Sequence, residues 1–149
     1  MEESKELQIQ EKKVPHLVIL PLPFQGHVNP MFQLANLLHS KGFSITIIHT
    51  NFHSPNPSNF PNFHFEFIAD DLSDGKIWIE DPISAVYILN DTCQEPLHDC
   101  LSRLLSDGLV TCIIADEAFY GTKDVADQLK LLRILLGTTA PLVSPPWRL

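Results

Sequence analysis

The 149-residue sequence has few basic side chains and no long hydrophobic run. Ten Lys and Arg residues stand against 18 Asp and Glu residues, which gives a net charge of −8. Proteins that bind nucleic acid or an anionic membrane surface generally carry a basic patch, so this balance argues against both partners. The apolar runs are far shorter than the ~20 residues that a membrane-spanning helix needs, so we expect no membrane span.

The sequence also lacks a cysteine framework and a secretory leader. Cys93, Cys100 and Cys112 are an odd number of cysteines without paired spacing, which is typical of reduced thiols in a cytosolic protein. Residues 1–13 are polar and mixed in charge, without the apolar segment of a signal peptide. We therefore expect a cytoplasmic protein with a flexible N-terminal tail over residues 1–13.

Several common motifs for nucleotides, metals and hydrolysis are missing. The sequence contains no G-x-G-x-x-G string, no P-loop and no G-x-S-x-G string, which argues against those nucleotide sites and hydrolases. His49 and His53 are four residues apart, but they fall at a strand end and in a Pro-rich loop rather than on one helix. Without an H-E-x-x-H string or a cysteine pair, we expect no metal site.

Short apolar runs alternate with segments of helical periodicity. Continuous or alternating apolar residues predict five strands, over residues 17–20, 43–50, 63–68, 110–115 and 131–136. Apolar residues three and four apart predict helices after Pro30, over 83–106 with a kink or break at Pro96, and around 125–129. This order predicts an α/β fold, an open and mainly parallel Rossmann-like sheet with helices on both faces.

The start of the first helix decides where the next candidate residues lie. Asn29 is a good N-cap and Pro30 suits the first helical position, so the helix is predicted to begin there and to end at Gly42.

Residues 70–81 are acidic and irregular, and we interpret them as a solvated loop. The alternating aromatic residues Phe63, Phe65 and Phe67 are interpreted as core, with a pocket wall as the other possibility.

The topology singles out two residues for chemistry. Ligands of open parallel sheets bind beyond the carboxyl ends of the strands, where His27 and Asp116 both fall. If the first and fourth strands are neighbours, the Asp116 carboxylate can hold the Nδ1 hydrogen of His27 and leave Nε2 as a general base. Gly26 would allow a sharp turn and leave room for a substrate. The structural alternative is that His27 bonds to backbone at the helix start and Asp116 caps the following segment.

The end of the chain is unusual for such a sheet. No helix follows the predicted fifth strand, and residues 141–149 carry three prolines and no periodicity. A final strand without a following helix leaves one of its faces uncovered. We therefore expect residues 14–140 to be the first part of a larger protein, followed by an irregular tail over 141–149.

A group of short strings resembles a known family. The string PFQGHVNPM at 23–31, followed by QLA at 33–35 and KGF at 41–43, resembles the opening of the plant UDP-sugar-dependent glycosyltransferases of family 1, which have the GT-B fold. FSITIIHTNF at 43–52 is similar to the subgroup that includes the steviol glycoside and cytokinin glucosyltransferases. IIAD at 113–116 and DVADQL at 124–129 match later landmarks, so the resemblance covers about residues 14–140.

The resemblance implies an inverting transfer of a sugar, usually glucose, from a UDP-sugar to a hydroxyl or carboxyl of a small plant metabolite such as a flavonoid, terpenoid or hormone. His27 matches the family's catalytic base and Asp116 its carboxylate partner. Gly26 lies at the matching turn near the reaction centre. Thr138 and Thr139 match small hydroxyl residues that approach the sugar and phosphates of the donor. Apart from the UDP-sugar co-substrate, no cofactor or metal is implied.

One departure from the family pattern qualifies these expectations. The family's UDP-binding signature, an H-C-G-W-N-S-type helix start, lies in a second, C-terminal domain and binds phosphates as helix N-termini do. No such string occurs in this sequence. We therefore expect an N-terminal, acceptor-binding GT-B domain without its UDP-sugar-binding domain, inactive by itself. The alternative is a non-catalytic remnant that at most binds small apolar acceptors or a partner chain.

Overall fold

The computed structural model describes residues 14–52, 54–70, 72, 77, 80–108 and 110–138. Its strands are β1 (His16–Leu20), β2 (Ser44–His49), β3 (His64–Phe67), β4 (Cys112–Asp116) and β5 (Leu132–Leu136). Its helices are α1 (Gln25–Ser40), α2 (Pro82–Thr92), α3 (Gln94–Asp107) and α4 (Thr122–Leu129), with a 3₁₀ turn at Pro57–Asn59.

All five strands run parallel in one sheet, in the order β3-β2-β1-β4-β5. The chain places β1, β2 and β3 outward in one direction and then returns to add β4 and β5 on the other side of β1. The strand order therefore reverses between β1 and β4, which is where open parallel sheets form their ligand crevice. The neighbouring position of β1 and β4, on which the predicted His27–Asp116 pair depends, is confirmed.

Helices cover both faces of the sheet, as the sequence predicts. On one face, Met31, Phe32 and Ala35 of α1 pack against alternate residues of β1, β2 and β4. On the other face, α2, α3 and α4 pack against the remaining alternate residues of these strands, including Val18 and Ile113. Strands buried on both faces read as continuous apolar runs, which explains the sequences LVIL of β1 and CIIA of β4.

The predicted start of α1 is wrong. The helix begins at Gln25, because the Phe24 carbonyl already accepts hydrogen bonds from the backbone N–H groups of His27 and Val28, at 2.9 and 2.7 Å. Pro30 consequently lies inside the helix, where its fixed φ is compatible and one hydrogen bond near the helix start is lost. His27 therefore sits in the first turn of α1, not in the loop before it. Gly42, with φ of +96°, lies just beyond the helix end as expected.

The long predicted helix over 83–106 is split, as Pro96 suggested. The break falls at Cys93, and Pro96 occupies the first turn of α3, where a missing N–H leaves no intrahelical bond unmade.

The edge strand β5 leaves Leu132 62% exposed and also exposes Ile134 and Leu135. The expectations for residues 1–13 and 141–149 lie outside the described residues.

Two interpretations from the sequence hold only in part: that residues 70–81 form a solvated loop, and that the aromatic residues at 63, 65 and 67 belong to the core. Asp70 and Leu72 are buried, and the Asp70 Oδ1 accepts a hydrogen bond from the Leu72 N–H at 3.1 Å, so this end of the acidic stretch is not solvated. Among the three aromatic residues of the third strand region, Phe63 is buried against Phe32 and Phe60, whereas Phe67 is half exposed. In the described part of the chain, no helix is long and apolar enough to cross a membrane.

Candidate active site

The switch point between β1 and β4 brings two distant side chains into contact. His27 projects from the first turn of α1, and Asp116 is the last residue of β4. The His27 Nδ1 lies 2.7 Å from the Asp116 Oδ2, although 89 residues separate them in sequence. The Asp116 side chain is 0% exposed and the His27 side chain is 18% exposed. The imidazole thus forms the border between the buried carboxylate and the crevice.

Asp116 is held at both carboxylate oxygens. Its Oδ1 accepts the backbone N–H of Ala118 at 2.9 Å, a turn contact of the kind that the structural alternative foresaw. Its Oδ2 faces the ring of His27, so the His27 side chain contacts the carboxylate, while the His27 backbone N–H donates to the Phe24 carbonyl at the helix start as that alternative foresaw. A buried carboxylate is costly without such partners, and these contacts fix its orientation.

The second ring nitrogen of His27 is available for chemistry. Within the described part of the chain, no hydrogen bond reaches the His27 Nε2. When Nδ1 carries the hydrogen that Asp116 accepts, Nε2 carries a lone pair. That nitrogen can take a proton from a group in the crevice, and the carboxylate would stabilise the resulting imidazolium.

Thr138 lies directly on this pair. Its Oγ1 donates a hydrogen bond to the Asp116 Oδ2 at 2.8 Å and lies 2.6 Å from the His27 Nδ1. The position follows from β5, which pairs with β4 as far as Asp116 and Leu136. Thr139, the other hydroxyl residue singled out in the sequence, lies outside the described residues.

Gly26 lies beside His27 in α1, and the sharp turn expected there is not found. The helix has already begun at Gln25, and Gly42 is the one described glycine with a positive φ. A Cβ atom added at Gly26 would meet nothing within 4 Å. The expected free space next to His27 is therefore present, but no strained backbone requires a glycine at this position.

Sequence reasoning missed Asn90, which anchors the loop behind the site. Its side chain is buried in α2, where Nδ2 donates to the carbonyls of Val86 and Ala118 at 2.8 and 2.9 Å. Its Oδ1 accepts the Gly121 N–H at 2.8 Å. The loop that supplies the Ala118 N–H to Asp116 is thereby tied to α2. The available signal was a polar residue beside the apolar face of a predicted helix.

Sequence reasoning also missed the aromatic residues next to the dyad. The Phe24 ring centroid lies 6.1 Å from that of His27 and 6.1 Å from that of Phe52. A small, largely apolar cavity is lined among others by Pro21, Val28, Phe32 and Phe52. Phe65 and Phe67, offered as a possible pocket wall, lie on β3 and pack against His49 instead.

No group of three or more His, Cys, Asp or Glu side chains in the described ranges is arranged to hold a metal ion. His49 lies at the end of β2, as the sequence analysis placed it, and His53 is outside the described residues. The chemistry that the site can perform with its own residues is proton transfer at the His27 Nε2.

Comparison with curated proteins identifies relatives over nearly the whole chain. UDP-glycosyltransferase 76B1 of Arabidopsis thaliana is 44% identical over 133 residues, which cover 89% of this chain and 29% of the relative. UDP-glycosyltransferase 76G1 of Stevia rebaudiana is 40% identical over 150 residues, which cover 94% of this chain and 32% of the relative. This chain is a relative of the plant UDP-glycosyltransferases. No protein-family model matches the sequence.

Solved structures confirm the fold class. The structure of Os79 from O. sativa, in complex with U2F and trichothecene, has a TM-score of 0.70 and 22% identity, covering 83% of this chain and 29% of that chain. The sheet and its helices are therefore part of a GT-B fold, as the resemblance implied. The chain spans about three tenths of the length of the curated relatives described above.

Proposed function

We propose that this chain provides the acceptor-activating part of a UDP-dependent glycosyltransferase. The observation that carries the proposal is the 2.7 Å contact between the His27 Nδ1 and the buried Asp116 Oδ2, while no hydrogen bond from the described residues reaches Nε2. A base of this design suits a reaction that must remove a proton from a weakly acidic hydroxyl.

In the proposed reaction, the His27 Nε2 takes the proton of the acceptor hydroxyl as its oxygen forms a bond to the anomeric carbon of the sugar. The bond between that carbon and the UDP oxygen breaks, UDP leaves, and the configuration of the carbon inverts. Asp116 stays ionised and stabilises the imidazolium. An acceptor carboxyl group is already ionised at neutral pH and would need this base much less than an alcohol does.

On the substrate side, we assign Gly26, Thr138 and Thr139 to the region where donor sugar and acceptor meet, with glucose as the sugar. The space beside Gly26 and the rings of Phe24 and Phe52 suit a small, largely apolar acceptor of the flavonoid, terpenoid or hormone type. We further assign residues 14–140 to the acceptor-binding domain of a GT-B protein. A separate domain would hold the uracil, ribose and diphosphate.

A chimera tests this function. The stretch of UDP-glycosyltransferase 76B1 that matches this chain is replaced by this chain, and UDP release and glucoside formation are measured with UDP-glucose and alcohol acceptors. His27→Ala should lower turnover by roughly 10²–10⁴, the usual contribution of a general base. Asp116→Asn should also be slow, because an amide neither selects the Nδ1-protonated ring nor stabilises an imidazolium.

The matched control is His98→Ala. His98 is a partly exposed histidine on α3, which packs on the sheet face opposite α1, so its loss should leave turnover unchanged. Near wild-type rates for both dyad variants would refute the assignment. The 149-residue chain without a donor domain should show no turnover, since positioning two reactants in line supplies roughly 7–11 kcal/mol of barrier reduction.

A further inference from the structure

Thr138 completes a triangle of polar atoms with the dyad. Its Oγ1 lies 2.8 Å from the Asp116 Oδ2 and 2.6 Å from the His27 Nδ1, and these two atoms are themselves 2.7 Å apart. Three polar atoms this close require a specific arrangement of hydrogens, because each contact needs a donor and an acceptor. The family resemblance implies that Thr138 approaches the donor sugar and phosphates. It implies no contact between Thr138 and the dyad.

The hydrogens can be placed by counting. An ionised Asp116 offers acceptors alone, so its Oδ2 can receive the Thr138 hydroxyl hydrogen and the hydrogen of the His27 Nδ1. Once the Thr138 hydrogen is directed to Oδ2, the Thr138 oxygen can face Nδ1 solely as an acceptor. Both Oδ2 and Oγ1 then favour the ring form that carries its hydrogen on Nδ1. This form leaves a lone pair on Nε2, as a general base requires.

We propose that Thr138 is a positioning residue that fixes the Asp116 carboxylate and holds His27 in its Nδ1-protonated form. The proposal rests on the proposed function in that it concerns the same dyad. The dyad is then held from three separate parts of the fold: α1 through His27, the loop after β4 through Ala118, and the end of β5 through Thr138.

The proposal also restricts what Thr138 can do toward a substrate. Its single hydroxyl hydrogen is committed to Asp116, so toward a sugar hydroxyl Thr138 can act as an acceptor but not as a donor. Any ligand group that competes for this hydrogen would weaken the hold on the carboxylate. Loss of the hydroxyl should therefore change the state of His27 even when no substrate is present.

Nitrogen NMR of the histidine rings provides a test that requires no catalysis. The chain is labelled with ¹⁵N-histidine, and the chemical shifts of the His27 ring nitrogens report which one carries the hydrogen while the ring is neutral. Thr138→Val removes the hydroxyl and keeps the branched shape, whereas Thr138→Ser keeps the hydroxyl. We expect a roughly three- to tenfold rise in the ratio of the Nε2-protonated to the Nδ1-protonated ring in Thr138→Val, the effect of one hydrogen bond. Thr138→Ser should retain the wild-type ratio.

Two further variants keep the result interpretable. Thr138→Ala removes the hydroxyl without the bulk of valine and should repeat the shift, which covers the case in which valine disturbs the fold. Thr92→Val is the matched control, because the Thr92 hydroxyl donates to the Ile88 carbonyl within α2 and does not contact the dyad. Unchanged ring populations in Thr138→Val and Thr138→Ala would overturn the proposal, as would a Thr138→Ser variant that behaves like Thr138→Val. If the proposed transfer reaction is wrong but this inference is right, the NMR shift still occurs and only the chimera lacks activity.

Discussion

Removal of the Asn90 side chain should destabilise the protein far more than its distance from the crevice suggests. The carboxamide makes three buried hydrogen bonds, to the carbonyls of Val86 and Ala118 and from the N–H of Gly121. In Asn90→Ala, the Ala118 carbonyl and the Gly121 N–H lose this partner inside the protein. Each buried group without a partner costs about 1–3 kcal/mol, so we expect a loss of about 3 kcal/mol.

The effect is measured by urea and thermal unfolding followed by circular dichroism. For a chain of this size, each kcal/mol shifts the midpoint by about 2–4 °C, so a loss of about 3 kcal/mol corresponds to roughly 6–12 °C. Asn36→Ala is the matched control, because Asn36 is an exposed asparagine on α1 and should change stability little. A loss below about 0.5 kcal/mol in Asn90→Ala would show that the loop after β4 does not depend on this side chain. Hydrogen exchange at the Ala118 amide should quicken in parallel, since the same loop carries that N–H to Asp116.

Three other predictions concern protonation, thiol reactivity and the glycine beside the dyad. Burial, with a smaller contribution from the charge of His64, lowers the pKa of His16. As the pH falls below about 6.5, the unfolded chain therefore binds a proton at His16 before the folded chain does, and stability measured by urea unfolding should decrease. Burial raises the pKa of the Cys100 thiol to about 11, so iodoacetamide at pH 8 should label it slowly in the native protein and rapidly in urea, as read by mass spectrometry. Gly26→Ala should raise stability by about 0.5–1 kcal/mol, because a helical glycine in open space is replaced, while raising the acceptor KM of the chimera.

Each of these three predictions has a matched control or a result that would contradict it. His16→Asn should reduce the dependence of stability on pH in this range. Labelling of Cys100 in the native protein as fast as in urea would contradict its burial. Gly121→Ala should act opposite to Gly26→Ala, because a Cβ there would lie 2.8 Å from the Asn90 backbone oxygen. Equal stability of the two alanine variants would contradict both placements.

The sheet could be predicted from the sequence because its strands are buried on both faces. A strand such as LVIL must be apolar throughout when helices cover both faces, and this pattern is not shared by the amphipathic helices between the strands. The adjacency of β1 and β4 entered as a condition, because burial on both faces does not fix the strand order, and the structure supplies it. The meeting of His27 with Asp116 required this adjacency together with the location of both residues near strand ends, and the second of these is visible in the sequence.

The features that the sequence could not predict depend on individual hydrogen bonds. Asn29 and Pro30 form a good local start signal, but the hydrogen bonds to the Phe24 carbonyl start the helix five residues earlier, at Gln25, and no propensity rule weighs these two possibilities. Asn90 is an ordinary polar residue in a predicted helix until the loop after β4 is seen beside it. Thr138 could be matched to a family position, whereas the partner of its hydroxyl could only come from the geometry.

The burial of Asp116 explains why the candidate site needs three strands of the sheet, β1, β4 and β5. A carboxylate excluded from water is tolerated when several donors surround it, and here they come from α1, from the loop after β4 and from the end of β5. Of these three contacts on Asp116, that of Ala118 is local, whereas those of His27 and Thr138 span 89 and 22 residues of sequence. The imidazole can therefore reach its oriented state only after β1, β4 and β5 have paired. Loss of β5 pairing should accordingly release Thr138 first and change the dyad before the rest of the sheet is lost.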